Sequence, residues 1–459
     1  MHKNNADIGE NLERGLEERH IQLIALGGAI GVGLFLGSAD TIKIAGPSIL
    51  LSYLLGGFIL FFIMRSLGEI AVEEPLSGSF SAYANKYIGP LAGYLTGWTY
   101  WLNWISICMA EVTAIGIYID FWYPSVPKWV SAFTALIIMI IINLINVKAY
   151  GEFEFWFSII KVVTIVGMIV IGTIMITTGI GNKGVIVGLS NLWTNGGFFP
   201  NGIKGTIKAL PMVTFSFFGT ELIGITAGEA KNPQKTIPSA INKVFWRICI
   251  FYIGSLTIIM SIYPWNKIGV IGSPFVLTFS KLGIKVAAGI INFVVLTAAL
   301  SSCNSGIYTT GRMVYNLALQ GSAPKVFKKV NASKVPRNAI LASSACMFIG
   351  VALNYFVPNK VFTYVVAVAT FAGIFAWFMI LLVHIKYRKT LTEDKIKNLR
   401  FKVKGYPYVN YISLAYLVFV FIMMAFNKDT VIVVVLGPLW IIALIAIYYI
   451  FGLNKNADN

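Results

Sequence analysis

Three ionisable side chains lie well inside hydrophobic segments that are long enough to cross a membrane. They are Glu111, Lys161 and Glu221. A charged group at such a depth costs several kcal/mol unless it is paired or hydrated, which makes each of these residues a candidate for a functional site. Lys161 lies about eight residues inside its segment, or roughly 12 Å along a helix. Because burial favours the uncharged form of acids and amines, these groups have the chemistry of proton uptake and release.

A second chemical signal is a cluster of glycines in the first hydrophobic run, 21–44. Gly27, Gly28, Gly31 and Gly33 lie close together in it, and each glycine weakens a helix by roughly 1 kcal/mol relative to alanine. Irregular backbone at membrane depth is tolerated only inside protein or beside a wet cavity, so a break here would offer free N–H and C=O groups to a polar ligand. The alternative is that these glycines only allow a neighbouring helix to pack closely.

The composition places these residues in a polytopic membrane protein. The chain has 459 residues, of which 57% are hydrophobic and 12% charged, whereas soluble domains carry roughly 25% charged residues. We therefore expect an all-α fold of twelve transmembrane helices. The predicted hydrophobic runs are 21–44, 47–72, 91–122, 129–147, 153–178, 206–230, 240–264, 276–309, 337–357, 361–386, 409–427 and 430–452.

The formal net charge of +17 indicates orientation rather than a nucleic-acid partner. Most of the 36 lysine and arginine residues lie in segments that face the cytoplasm if the N-terminus is inside. The positive-inside rule then predicts that both termini are cytoplasmic. Membrane lipid is an expected partner, and the basic stretch 386–404 could contact lipid headgroups. Glu69, at the cytoplasmic end of the second run, is expected to serve the surface or a gate.

Interruptions at corresponding places in the first and sixth runs indicate an internal repeat. The sixth run contains FSFFGTE from Phe215 to Glu221, although it has fewer glycines than the first. Five spans per repeat is an odd number, which forces the two repeats into opposite orientation, with the site between them. Broken helices in inverted repeats are typical of secondary transporters rather than channels. We expect a cytoplasmic tail at 1–20, a first repeat at 21–178, a second at 206–386 and two further helices at 409–452.

Other kinds of membrane protein find little support in the sequence. The four cysteines each lie in a different run and have no metal-ligand spacing. The chain has only three histidines and contains neither a phosphate-binding loop nor a metalloprotease or nucleophile-elbow motif. We therefore expect neither an enzyme nor a primary pump, and no cofactor or metal. A sensor that binds its ligand without transporting it stays open.

Four stretches of the chain carry features of a known family. Residues 14–37 read RGLEERHIQLIALGGAIGVGLFLG, residues 152–157 read EFEFWF, residues 219–233 read GTELIGITAGEAKNP, and residues 297–306 read TAALSSCNSG. Together they resemble bacterial amino acid permeases, in the amino acid transporter family of the amino acid–polyamine–organocation superfamily. The likeness runs from about residue 12 to the last helix, and it is closest to permeases for neutral amino acids of the proline and threonine type.

This resemblance implies a fold and an activity. The fold is that of the sodium-coupled leucine transporters, with five plus five inverted helices and two more at the C-terminus. The activity is uptake of an α-amino acid with a proton across the plasma membrane. A small or medium neutral side chain is expected, because the candidate pocket has no acid beyond Glu111 and Glu221. Aromatic substrates, and exchange of one amino acid for another, are the alternatives.

A zwitterionic substrate needs hydrogen-bond donors beside acceptors. The N–H groups that begin the second half of the first run attract an anion. Those expected to bind the substrate carboxylate belong to Ile30, Gly31, Val32 and Gly33. The carbonyls expected to accept from the ammonium group lie around Ala29, Phe215, Ser216 and Gly219. The resemblance also places the Phe215 ring over the substrate, whereas a ring that faces lipid or the core is the alternative.

Each buried ionisable residue has two interpretations. In the family, a lysine at the position of Lys161 resembles a permanent replacement for sodium; it could exchange a proton, or it could be a fixed tether to carbonyls of Gly27 or Gly28. The resemblance gives Glu111 a role in substrate binding or proton coupling, and a structural acid is the alternative. Glu221 could cap the second half of the sixth run, or it could titrate during transport.

Overall fold

The structure is a computed structural model that describes residues 30–76, 78–145, 147–180, 184–225, 232–268, 272–281, 285–358 and 360–453. The predicted tail at 1–20 and the candidate residues Gly27, Gly28 and Ala29 lie outside the described residues.

The described chain is all-α and contains no strand. The helices of its first half are α1 (Val32–Phe35), α2 (Gly37–Ala45), α3 (Ile49–Glu73), α4 (Ser79–Tyr87), α5 (Pro90–Asp120), α6 (Lys128–Ile145) and α7 (Val147–Thr178). Those of the middle are α8 (Gly202–Lys208), α9 (Leu210–Phe215), α10 (Leu222–Ile225), α11 (Pro233–Arg247), α12 (Ser255–Ile262), α13 (Pro274–Lys281) and α14 (Lys285–Leu319). The last are α15 (Arg337–Phe356), α16 (Val361–Thr390), α17 (Glu393–Lys397), α18 (Tyr408–Met424) and α19 (Val431–Ile450).

The architecture is that of a polytopic membrane protein. Among the described residues, 9 helical segments are long and apolar enough to cross a membrane, and α18 is apolar but shorter. The first and sixth predicted runs are not among them as separate continuous spans: each is interrupted within its described part, and residues 21–29 and 226–230 lie outside the described residues. The second half of the first run instead joins the second run through a 3-10 turn, Gly46–Ser48, which Pro47 helps to bend. The arrangement as twelve spans in an inverted repeat stays a prediction.

The first run is irregular where the sequence predicts a break. Ile30 has no regular structure, and Gly31 is extended, with φ −132° and ψ −159°. The helix α1 starts only at Val32 and lasts four residues. Its first N–H groups lie at a helix start, where backbone donors have no partner within the helix itself.

The sixth run is interrupted as well, which confirms the second predicted break. The helix α9 ends at Phe215, residues 216–221 form turns, and α10 begins at Leu222. Gly219 has φ 101°, a left-handed conformation that costs glycine little because it lacks a Cβ atom. The turn therefore depends on a glycine at this position.

The helix α5 lies at the centre of the fold, and α19 lies at its edge. Within the most apolar window of each helix, 83% of the residues of Pro90–Asp120 are buried, against 22% for Val431–Ile450. The helices α14 and α16 make the most extensive contacts with α5. Side chains of α5 and α14 therefore face each other in the interior, away from lipid.

Replacing Gly306 by alanine should destabilise this interior packing. A Cβ atom at Gly306 on α14 would overlap the Sγ atom of Cys108 and lie 2.9 Å from Cε3 of Trp104, both on α5. Such overpacking typically costs about 1–3 kcal/mol. We expect the thermal unfolding midpoint in detergent to fall for Gly306→Ala. Gly167→Ala on α7 is the matched control, since its Cβ atom would meet nothing within 4 Å. An equal response of the two variants would contradict the packing described here.

Candidate functional site

A small cavity lies between the two interrupted segments and the central helices. Its volume is about 10 Å³, which holds roughly one water molecule. It is lined by Gly31, Gly33, Ile107, Glu111, Phe215, Ser216, Phe218 and Ser302. The structure thus brings together five of the residues predicted to form the substrate site, from segments far apart in the sequence.

A larger groove elsewhere lacks the chemistry for a charged ligand. It has a volume of about 660 Å³ and opens at the outer surface, where Leu55, Phe58 and Ile203 are exposed. None of its lining residues is ionisable. Size alone therefore does not locate a site for a zwitterion, which needs polar partners.

Glu111 lies at the start of α1, where the sequence predicts the carboxylate of a substrate. The Val32 N–H group donates to Oε1 of Glu111 over 3.4 Å. The second oxygen, Oε2, is buried and has no hydrogen-bond partner among the described residues. Because a helix start attracts negative charge, the N–H groups of the first break and the Glu111 carboxyl group form one polar centre. The Ile30 carbonyl accepts a hydrogen bond from Lys161 instead.

Two glycines are needed for the close approach of these segments. A Cβ atom at Gly31 would lie 2.8 Å from Oε1 of Glu111, and one at Gly33 would lie 2.5 Å from Cα of Ser216. Real Cβ contacts are not that short. The first break therefore contacts both the acid on α5 and the backbone of the second break.

The carbonyls of the second break already accept hydrogen bonds in this structure. The Ser216 carbonyl accepts from the Tyr252 hydroxyl over 2.7 Å. The Phe215 and Gly219 carbonyls accept from the N–H groups of Phe218 and Leu222 over 3.1 and 3.2 Å. Since a carbonyl oxygen has two lone pairs, each could accept a second hydrogen bond from an ammonium group.

Glu221 is enclosed by donors and does not line the cavity. The Gly219 N–H group donates to both of its carboxyl oxygens, over 3.1 and 3.2 Å. The Tyr100 hydroxyl donates over 3.0 Å, and the Trp377 indole N–H over 3.2 Å. Glu221 therefore satisfies the backbone of the turn that precedes α10, rather than the start of α10 itself. Gly219 also lies with Glu221, outside the cavity lining.

Lys161 is fully buried beside the cavity lining rather than in it. Its ammonium group donates to Oγ of Ser301 over 2.9 Å and to the Ile30 carbonyl over 3.4 Å. It therefore links α7 and α14 to the first break. The other acceptors predicted for it, the carbonyls of Gly27 and Gly28, lie outside the described residues.

The sequence-based prediction missed three residues that complete this centre. Ser302 on α14 lines the cavity beside Glu111. Ser301 donates to both carboxyl oxygens of Glu154, over 2.7 and 2.9 Å, and Glu154 is fully buried. A signal for Glu154 was present, because it precedes Lys161 by seven residues, two helical turns, and so shares its helix face.

Glu69 is buried, which corrects the prediction that it serves the surface; a role in a gate stays a prediction. Its side chain has no exposure, and it contacts the guanidinium of Arg388 over 2.5 Å and Nε2 of His384 over 3.1 Å. The Val403 N–H group also donates to it, over 2.6 Å. These contacts tie α3 to α16 and to the segment before α18. The position of Glu69 near the end of a predicted span gives no sign of these partners, which come from distant parts of the sequence and allow its carboxylate to be buried.

Comparison with known proteins identifies the family. A sequence model described as amino acid permease matches residues 20–459. The chain therefore belongs to the amino acid permease family, within the amino acid–polyamine–organocation superfamily. The resemblance inferred from four stretches of sequence is thus confirmed over the whole chain.

Individual relatives agree over nearly the full length. The chain is 57% identical over 447 residues to a protein of Bacillus subtilis strain 168 named "Uncharacterized amino acid permease YtnA", covering 97% of this chain and 96% of the relative. It is 49% identical to the "Probable threonine/serine transporter YbxG" of the same strain, over 98% and 97% of the two chains. It is 48% identical to the "Aromatic amino acid transport protein AroP" of Escherichia coli O6:H1, over 96% of each chain. The family and these relatives are transporters.

Removing the positive partner of Glu69 should destabilise the protein strongly. Breaking a buried ion pair by removing one member typically costs about 3–5 kcal/mol, because the remaining charge stays buried. We expect Arg388→Leu to lower the thermal unfolding midpoint in detergent well below that of Lys389→Ala, which alters the exposed neighbour on the same helix. If both variants melt like the wild type, Arg388 does not neutralise Glu69.

Proposed function

We propose that the protein imports a neutral α-amino acid together with a proton across the plasma membrane, by alternating access and with both termini in the cytoplasm. The observation that carries this proposal is the small polar cavity between two interrupted helical segments, with the open carboxyl oxygen of Glu111 beside it. Discontinuous helices around a central site are the usual design of secondary transporters.

The cavity must enlarge before an amino acid can enter. At about 10 Å³ it has room for a water molecule only. Phe215 and Phe218 contribute aromatic rings to its wall, with ring centroids 6.2 Å apart. We infer that movement of these rings and of the second break opens the site. The substrate carboxylate would then bind the N–H groups from Gly31 to Gly33, and the ammonium group would bind carbonyls of Phe215 and Ser216.

The lining favours a neutral side chain. Among the described residues that line the cavity, Glu111 is the one ionisable group, and no lysine or arginine is present to pair with an acidic substrate. Ser216 and Ser302 offer hydroxyl groups, while Ile107 offers an apolar surface. This mixture suits small or medium side chains, including hydroxylated ones. One relative is named for the hydroxylated amino acids threonine and serine. Aromatic substrates are the second candidate, supported by the relative named for them.

Proton coupling rests on the buried ionisable groups beside the cavity. Glu111 contacts the first break through Val32, and Lys161 contacts the same segment through the Ile30 carbonyl. A change of protonation at either residue would therefore alter the backbone expected to bind substrate. Glu221 is held by four hydrogen bonds away from the cavity, which supports a structural role for it.

Uptake into empty proteoliposomes should be driven by an inward proton gradient. Purified protein would be reconstituted, and accumulation of labelled threonine, serine and phenylalanine measured at equal and at lower external pH. We expect accumulation above equilibrium only with the gradient, and its loss when a protonophore is added. Transport that occurs only when amino acid is preloaded would establish exchange instead. Binding without any accumulation would establish a sensor.

Glu111→Gln should separate proton coupling from substrate movement. Glutamine keeps the shape of the side chain but cannot take up a proton in this pH range. We expect the variant to lose gradient-driven accumulation while it retains exchange of labelled for unlabelled substrate. Asp120→Asn is the matched control, since it neutralises a partly exposed acid at the end of the same helix. Proton-driven accumulation by Glu111→Gln at the wild-type level would exclude Glu111 as the coupling residue.

A further inference from the structure

A buried carboxylate that plays no part in the cavity lining lies next to Lys161. Glu154 and Lys161 are separated by seven residues on α7, so their side chains lie on the same face, roughly 10 Å apart along the helix axis. Ser301 on α14 lies between them. Its Oγ atom is 2.9 Å from the ammonium nitrogen of Lys161 and 2.7 Å from Oε1 of Glu154. All three residues are fully buried.

The donors and acceptors of these hydrogen bonds are arranged as in an ion pair that is bridged by a hydroxyl group. An ammonium group can only donate, so Ser301 accepts from Lys161 and uses its single proton to donate to Glu154. Lys161 also donates to the Ile30 carbonyl, and Glu154 also accepts from the Ser158 hydroxyl over 3.4 Å. These additional contacts stabilise the charged form of each partner.

We propose that Glu154 is the counter-ion of Lys161 through Ser301, and that this pairing keeps Lys161 charged, so that Glu111 takes the transported proton. Glu154 is then a positioning residue that acts through Lys161. The second half of this inference rests on the proposed proton coupling, whereas the pairing itself does not.

The charge balance of the buried centre supports this assignment. With Glu111, Glu154 and Lys161 all ionised, the centre would carry one net negative charge among buried side chains, which is costly. One additional proton makes it neutral. Glu154 shares Ser301 with the lysine, whereas Oε2 of Glu111 has no hydrogen-bond partner among the described residues and Glu111 lines the cavity. The additional proton therefore belongs on Glu111.

The other titratable groups near the centre are thiols and phenols. Cys108 and Tyr118 are buried on the same helix as Glu111. The Tyr150 hydroxyl is 3.3 Å from Oγ of Ser305. Thiols and phenols ordinarily lose a proton only above neutral pH. They do not alter the balance among the two acids and the lysine.

A double-mutant cycle tests the pairing without any transport measurement. The thermal unfolding midpoint in detergent would be compared for Glu154→Gln, Lys161→Gln and the double variant. Each single change leaves one buried charge without its partner, so each should lower the midpoint by several degrees. The double variant removes both charges. Its unfolding midpoint should fall by less than the sum of the two single decreases, and by less than that of the more strongly destabilised single variant. Additive losses would overturn the pairing.

Ser301→Ala keeps the test valid if a single variant fails to fold. In the wild-type background it removes the bridging hydroxyl and should lower the midpoint. In the Glu154→Gln, Lys161→Gln background it should have little effect, because there is no ion pair left to bridge. An equal loss in both backgrounds would also overturn the pairing.

Transport by the double variant tests the second half of the inference. We expect it to retain proton-driven accumulation at a reduced rate and with an altered pH profile, because Glu111 still titrates but has lost the nearby charge of Lys161. Glu152→Gln, on the same helix and outside the centre, is the control and should leave the profile unchanged. Loss of proton-driven accumulation in the double variant, with exchange intact, would assign the proton to Lys161 or Glu154 instead. A wild-type protein without proton-driven uptake would refute symport but leave the cycle to decide the pairing.

Discussion

A polar group that is withdrawn from water must find its partner inside the protein, and this constraint governs every functional feature of the fold. Glu111, Glu154, Lys161 and Glu221 are buried almost completely. Each finds hydrogen-bond partners on other segments of the chain, so its position depends on how those segments pack. The same contacts that satisfy these groups also hold the interrupted helices in place, which joins the stability of the protein to the chemistry of its site.

At both helix interruptions a backbone N–H group donates to the carboxyl group of a buried glutamate, but the two glutamates differ in their other partners. At the first break, the Val32 N–H group contacts the carboxyl group of Glu111. At the second, the Gly219 N–H group contacts that of Glu221. Glu221 has further donors from Tyr100 and Trp377 and lies away from the cavity, whereas Glu111 keeps one oxygen open beside it. The two acids thus differ in the number of donors around them, which is the basis for the different roles proposed for Glu221 and Glu111.

Buried charges elsewhere in the protein show that depth alone does not indicate function. Glu69 is as deeply buried as Glu111, yet Arg388 and His384 meet it with complementary groups, so that it ties helices together. Glu154 is likewise surrounded by hydroxyl donors. The centre beside the cavity differs because its two acids share one lysine, which leaves the protonation of one acid open to change. The proposed proton coupling therefore rests on an imbalance of partners as well as on burial.

The sequence by itself determined the class of the protein, the positions of both helix interruptions and the candidates Glu111, Lys161 and Phe215. These are local properties: hydrophobic length, glycine content and an ionisable residue in an apolar run can each be read within a few turns of helix. The tertiary structure decided which groups meet. It alone placed Ser302 beside Glu111, put Ser301 between Lys161 and Glu154, and removed Gly219 and Glu221 from the cavity. The hydrogen bond from Ser301 to Glu154 alone joins residues 147 positions apart, and a hydrogen bond depends on distances of tenths of an ångström that arise only when helices pack.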